Sequence, residues 1–357
     1  MGIVDRLSKL KNLLSEKHID AVLVSKRENF MYFSGFNGTS GYLLLSNKEK
    51  ILLTDSRYLE QARNQAPDFR VIDYKNKLME TLKEVVDELG FKTIGIESKV
   101  VSYDDYTKYK KYNFVEEIVC LGNSLDMQRI VKDEEELKLI IEAVGLADRA
   151  FSNVLKFIKP GVAEVEVAAE IEYYLKRNGA RGPSFDTIVA SGKRSSLPHG
   201  IASEKKIELG DPIIIDFGAI YKDYCSDMTR TVFVGEPNEE MKKIYKIVQE
   251  AQNIAVTKVS KGMTCKEVDL LARGIIEKFG YGERFGHGLG HGVGLEIHEG
   301  PTLSPKLESI LENNMVITVE PGIYVPELGG VRIEDMAIIH ENSPRILTSS
   351  SKDLMIL

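Results

Sequence analysis

The sequence predicts an α/β (α+β) protein with a small N-terminal α/β domain and a larger, internally duplicated C-terminal domain. A chain of 357 residues is long for one domain, so two are expected. Strand-like and helix-like segments alternate through the first third, which is typical of α/β architecture. Two later segments, Gly161–Gly179 and Gly262–Gly280, align without gaps and share both terminal glycines, which indicates a duplication.

The composition excludes several kinds of partner. Acidic residues (54) outnumber basic ones (47) and give a net charge of -7, which argues against nucleic acid because phosphate binding needs a basic surface. We expect no membrane segment, because no run of about 18 apolar residues is present, and the N-terminus lacks the apolar core of a signal peptide. The widely spaced Cys120, Cys225 and Cys265 are predicted to be reduced thiols in a cytoplasmic protein.

The first third is predicted to form a small α/β domain over residues 1–123, followed by the second domain over 124–357. Apolar spacing and turn residues predict helices at Ile3–Lys17, Asp55–Asn64 and Lys77–Leu89, and strands at Ala21–Val24, Tyr42–Leu45, Ile51–Leu53 and Thr93–Ile96. The glycine-rich segment Phe33–Gly41 could touch a ligand, but it is interpreted as an ordinary loop.

Two long amphipathic helices are predicted in the second domain, at Glu134–Ile158 and Glu239–Val259. Each precedes one of the two matching glycine-bounded segments, so the C-terminal two-thirds reads as a duplicated α/β unit with a cleft between related halves. Two unrelated helices with glycine ends would be the alternative. The charge run Lys132–Glu136 is predicted to be solvated.

The segment Phe285–His298, FGHGLGHGVGLEIH, carries three histidines, His287, His291 and His298, interleaved with five glycines. Glycine lets a ligand approach the backbone closely, and imidazole is a common metal ligand. A single histidine in such a loop would more often be an ordinary surface residue. A metal site on this segment therefore requires carboxylates from elsewhere in the chain.

Four acidic residues lie on or beside apolar, β-branched segments: Asp216 in PIIIDFG, Asp227 at the start of the returning strand, Glu320 in MVITVEPG and Glu334 in GGVRIED. A carboxylate on a buried strand is costly unless it meets a counter-charge, although Asp227 alone could be a turn residue. Four carboxylates with one imidazole suit two divalent ions, Mn²⁺, Co²⁺ or Zn²⁺. Two such ions activate water, which favours a hydrolase.

The five residues Asp216, Asp227, His291, Glu320 and Glu334 resemble, in order and local context, the ligands of the dinuclear pita-bread metallopeptidases. That family includes methionine aminopeptidase, aminopeptidase P and prolidase. The resemblance implies a creatinase/prolidase-like N-terminal domain and a pita-bread catalytic domain. Creatinase shares the fold without the metal ligands, so the complete set argues against that branch.

The resemblance also implies a role for each site residue. Asp216 would bind one metal, Asp227 and Glu334 would bridge two, and His291 and Glu320 would bind the other. Glu320 would handle the proton of the attacking water.

The remaining implied roles concern the substrate. His298 would donate to the substrate carbonyl oxygen, and His287 would join Glu320 and His298 in the catalytic group. His199 and His287 would line the substrate pocket, and Arg332 would orient a ligand.

The resemblance implies cleavage of the peptide bond before proline, with small peptides carrying proline in second position as substrates. Aminopeptidase P is favoured over an Xaa-Pro dipeptidase (prolidase), because no basic side chain for a free carboxylate could be identified from spacing. A catalytically silent binding module is a further alternative, but it would not need five metal ligands. Two metal ions, with Mn²⁺ first, a cytoplasmic location and a homodimer are expected.

Overall fold

The computed structural model describes residues 2–357, and the chain divides into two compact units. The N-terminal unit ends at Arg129 and the C-terminal unit spans Ile130–Leu357. The division lies a few residues beyond the predicted boundary at 123, after a short 3₁₀ helix at Asp126–Arg129.

The N-terminal unit contains one mixed six-stranded sheet in the order β4-β3-β2-β1-β5-β6. The strands are β1 Ala21–Val24, β2 Tyr42–Ser46, β3 Lys50–Thr54, β4 Arg70–Asp73, β5 Thr93–Ile96 and β6 Glu117–Cys120. The helices are α1 Ile3–Lys17, α2 Arg27–Ser34, α3 Leu59–Gln65, α4 Leu78–Leu89 and α5 Tyr103–Tyr112. The α/β class predicted for this region is confirmed.

Several elements of this unit differ from the prediction. Helix α2 was not predicted, because its residues from Asn29 to Ser34 are all buried and no polar face marks a helical period. The helix predicted from Asp55 begins at Leu59, because Asp55 instead accepts hydrogen bonds from Arg57 in a turn. β4, α5 and β6 were also missed.

The C-terminal unit packs four helices against several short sheets. The helices are α6 Glu134–Val154, α7 Glu164–Arg177, α8 Glu239–Lys258 and α9 Cys265–Lys278, with 3₁₀ turns at Gly192–Ser196 and Gly282–Arg284. The strands are β7 Gly182–Pro183, β8 Ile188–Ser191, β9 Pro212–Phe217, β10 Ala219–Tyr221, β11 Tyr224–Cys225, β12 Met228–Phe233, β13 Gly290–Gly292, β14 Glu299–Leu303, β15 Val316–Val319, β16 Gly322–Val325, β17 Gly329–Arg332, β18 Asp335–Ile338, β19 Arg345–Ile346 and β20 Met355–Ile356. The sheet orders are β20-β12-β9-β8, β14-β13-β15-β18-β19, β11-β10-β7 and β16-β17.

The two halves of this unit repeat one arrangement. α7 and α9 each have 14 residues, and each follows a left-handed glycine, Gly161 with φ 90° and Gly262 with φ 89°. Gly161 N donates to Ile207 O and Gly262 N donates to Leu311 O, both at 2.9 Å. One hydrophobic core contains residues of α6 and α7, and a second contains residues of α8 and α9. These equivalent contacts are what the predicted duplication requires.

The charge run before α6 is largely buried, contrary to the prediction. Asp133 caps the helix and accepts hydrogen bonds from the backbone of Glu135 and Glu136. Lys132 is buried and lies 2.6 Å from the carboxylate of Glu299. The helix also ends at Val154, earlier than predicted. Sequence spacing could not reveal the ion pair of Lys132 with Glu299 because these residues lie far apart in the chain.

Candidate active site

The antiparallel pair β9 and β12 brings two acidic residues to one place. Asp216 pairs across the sheet with Thr229, and Asp227 directly precedes β12. Side chains two residues apart in a strand lie on one face, so Asp227 and Thr229 both face the region of Asp216. The hairpin predicted from the sequence is present.

Two further carboxylates come from the second half of the duplication. Glu320 lies between β15 and β16, and its Oε1 accepts a hydrogen bond from Thr318 Oγ1 at 3.1 Å. Glu334 lies between β17 and β18, and its Oε2 accepts one from Thr229 Oγ1 at 2.7 Å. Each half of the unit therefore contributes two carboxylates.

Asp216, Asp227 and Glu334 form a compact, buried acidic cluster. One carboxylate oxygen from each lies within 4.8 Å of the others. Burial, followed by the charge of neighbouring carboxylates, raises the pKa of Asp227 and the pKa of Glu334 well above their ordinary values. The cluster is thus unfavourable in its fully ionised form without added positive charge.

His291 joins the acidic cluster from β13. Its Nε2 lies 3.5 Å from Asp227 Oδ2 and 3.4 Å from Glu320 Oε1, while Nδ1 lies 3.1 Å from the carbonyl of Gly292. Burial lowers the pKa of His291, so its ring favours the neutral form that ligates metals. Burial of the Glu320 carboxyl raises the pKa of Glu320 to about 7.

The donor set fits a divalent metal centre. Asp216 Oδ1 and Glu334 Oε1 are buried and have no hydrogen-bond partner among residues 2–357. Buried polar atoms almost always have a hydrogen-bond partner. A carboxylate oxygen that lacks one and lies beside other carboxylates is suited to bind a cation. Carboxylates with one imidazole match the preferences of Mn²⁺, Co²⁺ and Zn²⁺.

A chain of hydrogen bonds links this cluster to His287. Arg332 Nη2 donates to Asp216 Oδ2 at 2.5 Å, and Nη1 donates to the hydroxyl of Tyr324 at 2.9 Å. The Tyr324 hydroxyl lies 3.0 Å from His287 Nε2. Burial lowers the pKa of His287 to about 4, so this ring is neutral near pH 7. Arg332 therefore orients the candidate metal ligand Asp216 directly and the pocket residue His287 through Tyr324.

All nine site residues predicted from the sequence line one cavity of about 570 Å³. They are His199, Asp216, Asp227, His287, His291, His298, Glu320, Arg332 and Glu334. The His298 ring packs edge-to-face on His291, with centroids 4.4 Å apart. Burial and the neighbouring His291 lower the pKa of His298. The structure thus brings the predicted residues together around one space.

Sequence reasoning missed residues that complete this cavity and support its ligands. The missed lining residues are Phe185, Asp186, Ile188, Pro198, Ile201 and Thr302, with Gly288 and Gly290. Thr229 and Thr318 each lie two residues from a predicted carboxylate, and that strand period could have identified them. Tyr324 follows Glu320 by four residues, and no sequence pattern links it to Arg332.

The matches to known families and relatives agree with this geometry. Residues 138–341 match metallopeptidase family M24, and residues 6–131 match the creatinase/prolidase N-terminal domain. The chain belongs to metallopeptidase family M24. It is therefore a metallopeptidase, as the resemblance implied.

Relatives of the M24 family cover essentially the whole chain. An Xaa-Pro dipeptidase of Pyrococcus furiosus is 44% identical over 354 residues, covering 98% of this chain and 99% of the relative. The structure of an Xaa-Pro dipeptidase from Bacillus anthracis superposes with a TM-score of 0.97 at 43% identity, with 100% of both chains covered. An X-Pro aminopeptidase from Thermotoga maritima gives 0.92 at 42%, covering 98% and 99%.

These relatives confirm the predicted family and fold, including the N-terminal domain of the aminopeptidase P and prolidase branch. None of the helices in residues 2–357 combines the length and apolar character needed to cross a bilayer.

Proposed function

We propose that this protein is an Xaa-Pro dipeptidase that uses two divalent metal ions. The observation that carries the proposal is the convergence of four carboxylates and His291 on one cavity, with Asp216 Oδ1 and Glu334 Oε1 unpaired. Asp227 and Glu334 would help to hold both ions, as the resemblance implied. Manganese is the first choice for the metal because the site is rich in oxygen ligands.

The chain's own residues would carry the remaining chemistry. When bound, two ions supply an activated water and polarise the scissile carbonyl. Glu320 lies beside His291, with its Oε1 3.4 Å from His291 Nε2, and its carboxylate can accept the proton of the attacking water and pass it to the leaving nitrogen. His298 is exposed beside His291 and can donate to the carbonyl oxygen as that atom gains negative charge.

The cavity wall supports a proline-selective pocket. Phe185, Ile188, Pro198 and Ile201 line it beside the polar cluster and offer apolar surface to a pyrrolidine ring. Proline has no N–H, so a pocket that presents no acceptor to that nitrogen accommodates it without an unpaired polar group. His199 and His287 form polar parts of the same wall.

The relatives named as dipeptidases support a dipeptidase better than the aminopeptidase favoured from the sequence. The basic side chain that a dipeptidase would need for the free carboxylate of its substrate could not be identified from sequence spacing.

Xaa-Pro aminopeptidase is the second candidate. The Thermotoga maritima relative carries that name at 42% identity. In addition, Arg332 is the only lysine or arginine lining the described cavity. Its guanidinium binds Asp216, Tyr324 and the Pro198 carbonyl, so it is not available for the free carboxylate of a dipeptide.

Hydrolysis of three matched peptides distinguishes these activities. Xaa-Pro, Xaa-Pro-Xaa and Xaa-Ala should be compared in the presence of Mn²⁺, Co²⁺ or Zn²⁺ after metal removal. A dipeptidase cleaves Xaa-Pro with the highest kcat/KM, whereas cleavage of the tripeptide at least as fast indicates an aminopeptidase. Equal kcat/KM for Xaa-Pro and Xaa-Ala would reject proline specificity, and no cleavage with any metal would leave the binding-module alternative.

The expected homodimer and domain boundary have separate measurements. Sedimentation equilibrium gives the oligomeric state directly. Limited proteolysis between residues 121 and 133 would locate the link between a creatinase/prolidase-like domain and the catalytic domain.

A further inference from the structure

Glu164 is a buried carboxylate that takes no part in the proposed chemistry. It is the first residue of α7, and none of its surface is exposed to solvent. Its Oε1 accepts hydrogen bonds from Ser191 N at 2.7 Å and Ser191 Oγ at 2.8 Å. Its Oε2 accepts from Ser203 N at 3.1 Å, from Ser203 Oγ at 2.7 Å and from Arg194 Nη1. One side chain thus joins both ends of the segment 191–203.

That segment, named here the His199 loop, carries a proposed substrate contact. Arg194 also donates through Nη2 to the carbonyl of Ile201 at 2.8 Å, so the pair of Glu164 and Arg194 binds the loop near both of its ends. The ring of His199 lines the cavity but has no hydrogen bond to any residue in the range 2–357. The position of this ring therefore depends on the loop backbone.

The second half of the duplication provides an internal comparison. Cys265 is the first residue of α9 and is also fully buried. Its backbone N donates to Ser309 O at 2.9 Å, as Glu164 N donates to Lys205 O at 3.0 Å. The same backbone arrangement therefore forms with a thiol at this position.

A carboxylate at the position of Glu164 needs a local reason, because burying a charge is costly unless it is hydrogen-bonded and paired. Its partners Ser191, Arg194 and Ser203 all belong to the His199 loop. The fold of the helix start does not require the carboxylate, and every side-chain partner of Glu164 lies in this loop.

We infer that Glu164 is a positioning residue that fixes the His199 loop and so holds His199 in the substrate pocket. The role of His199 in this inference rests on the proposed function. Glu164 lies outside the metal cluster and acts through the loop, so its loss should affect substrate binding more than the chemical step.

A double-mutant cycle tests whether Glu164 acts through His199. Glu164→Gln keeps the size of the side chain but puts an amide NH₂ where one acceptor oxygen stood. We expect KM for Xaa-Pro to rise about tenfold, equivalent to one such interaction, with kcat changed less and metal content unchanged. In a His199→Ala background the same substitution should have little further effect, because coupled residues are not additive. Additive effects would overturn the inference.

Two other variants guard against a general folding defect. Cys265→Ala changes the equivalent buried position in the second half and should leave KM unchanged. Arg194→Gln removes a half-exposed partner of Glu164 and should raise KM in the same direction, even if Glu164→Gln folds poorly. A larger KM change in Cys265→Ala than in Arg194→Gln would contradict the proposed role.

Amide hydrogen exchange gives a readout that does not depend on turnover. Residues 191–203 should exchange faster in Glu164→Gln and in Arg194→Gln than in the wild type or Cys265→Ala. Unchanged exchange in this segment would overturn the inference. If the wild-type protein cleaves no Xaa-Pro peptide, the proposed function fails, while the exchange comparison still supports or overturns the fixing of the loop.

Discussion

Thr229→Val should weaken metal binding without removing any metal ligand. The Thr229 hydroxyl is fully buried, donates to Glu334 Oε2 at 2.7 Å and accepts from Arg332 Nε at 3.0 Å. Valine keeps the shape of the side chain but leaves both charged groups without this partner.

The magnitude follows from the two lost bonds. Hydrogen bonds to charged groups contribute about 1.5–3 kcal/mol each, so the free energy of unfolding of the metal-free protein should fall by about 3–6 kcal/mol. The hydrogen bond from Thr229 lowers the pKa of Glu334, so its loss raises that pKa further and makes metal binding release more protons. Loss of a group that supports a ligand typically lowers metal affinity about 10–100-fold.

Thr231→Val is the matched control for this prediction. Thr231 is also fully buried on β12, and its hydroxyl donates to Arg332 O at 2.8 Å and accepts from Arg332 N at 3.1 Å. This variant loses two hydrogen bonds to neutral backbone groups, about 1–3 kcal/mol in total, and should keep its metal affinity. Competition titration with a chelator and urea unfolding measure both quantities. Equal metal affinity in the two variants would refute the reasoning.

Three further predictions concern other residues of the site. Asp227→Ala should abolish turnover and lower metal content while the circular dichroism spectrum is kept; full activity with two metals bound would contradict this. His298→Ala should lower kcat by about 10²–10³, as for one oxyanion donor, with metal content unchanged, and loss of metal would instead make His298 a ligand. His287 has a folded pKa of about 4 against 6.5 as its ordinary value, so the unfolded chain is protonated first. Its contribution to stability should therefore fall by roughly 2–3 kcal/mol between pH 6.5 and 4. Urea unfolding at each pH should show that the wild type loses more free energy of unfolding over this range than His287→Asn, by about that amount.

The candidate metal ligands could be identified from sequence because each lies in a conspicuous local pattern, whereas His199 and Arg332 were assigned only through the family resemblance. Acidic residues at the ends of apolar strands, such as Asp216 and Glu320, conflict with burial unless a cation compensates them. The composition of the histidine segment 285–298 suits neither a helix nor a long strand, and only its residues Gly290–Gly292 form a strand, β13. These conflicts are visible before any fold is known, and the structure places all of these residues around one cavity.

The supporting contacts could not be found in the same way, because they depend on how distant segments pack. Tyr324 joins Arg332 to His287, and Lys132 reaches Glu299, through tertiary contacts that no local period encodes. The helix Arg27–Ser34 was missed because its buried face extends around most of the helix. The sequence also could not distinguish a dipeptidase from an aminopeptidase, because that distinction depends on which charged group binds the carboxylate end of the substrate.

The repeated backbone pairing at the starts of α7 and α9 has a consequence for how this protein could acquire new specificities. Val165 N donates to Ser203 O, and Lys266 N donates to Leu307 O, so a main-chain hydrogen bond ties the chain after each histidine-bearing loop to a helix. Main-chain tethers do not depend on which side chains lie between them, and doubling the length of a loop costs only about 0.6 kcal/mol in closure entropy. Residues 196–199, which lie between Arg194 and Ile201, are therefore suited to loop replacement, in which new side chains reshape the rim of the pocket while β9 and β12 keep their carboxylates in register.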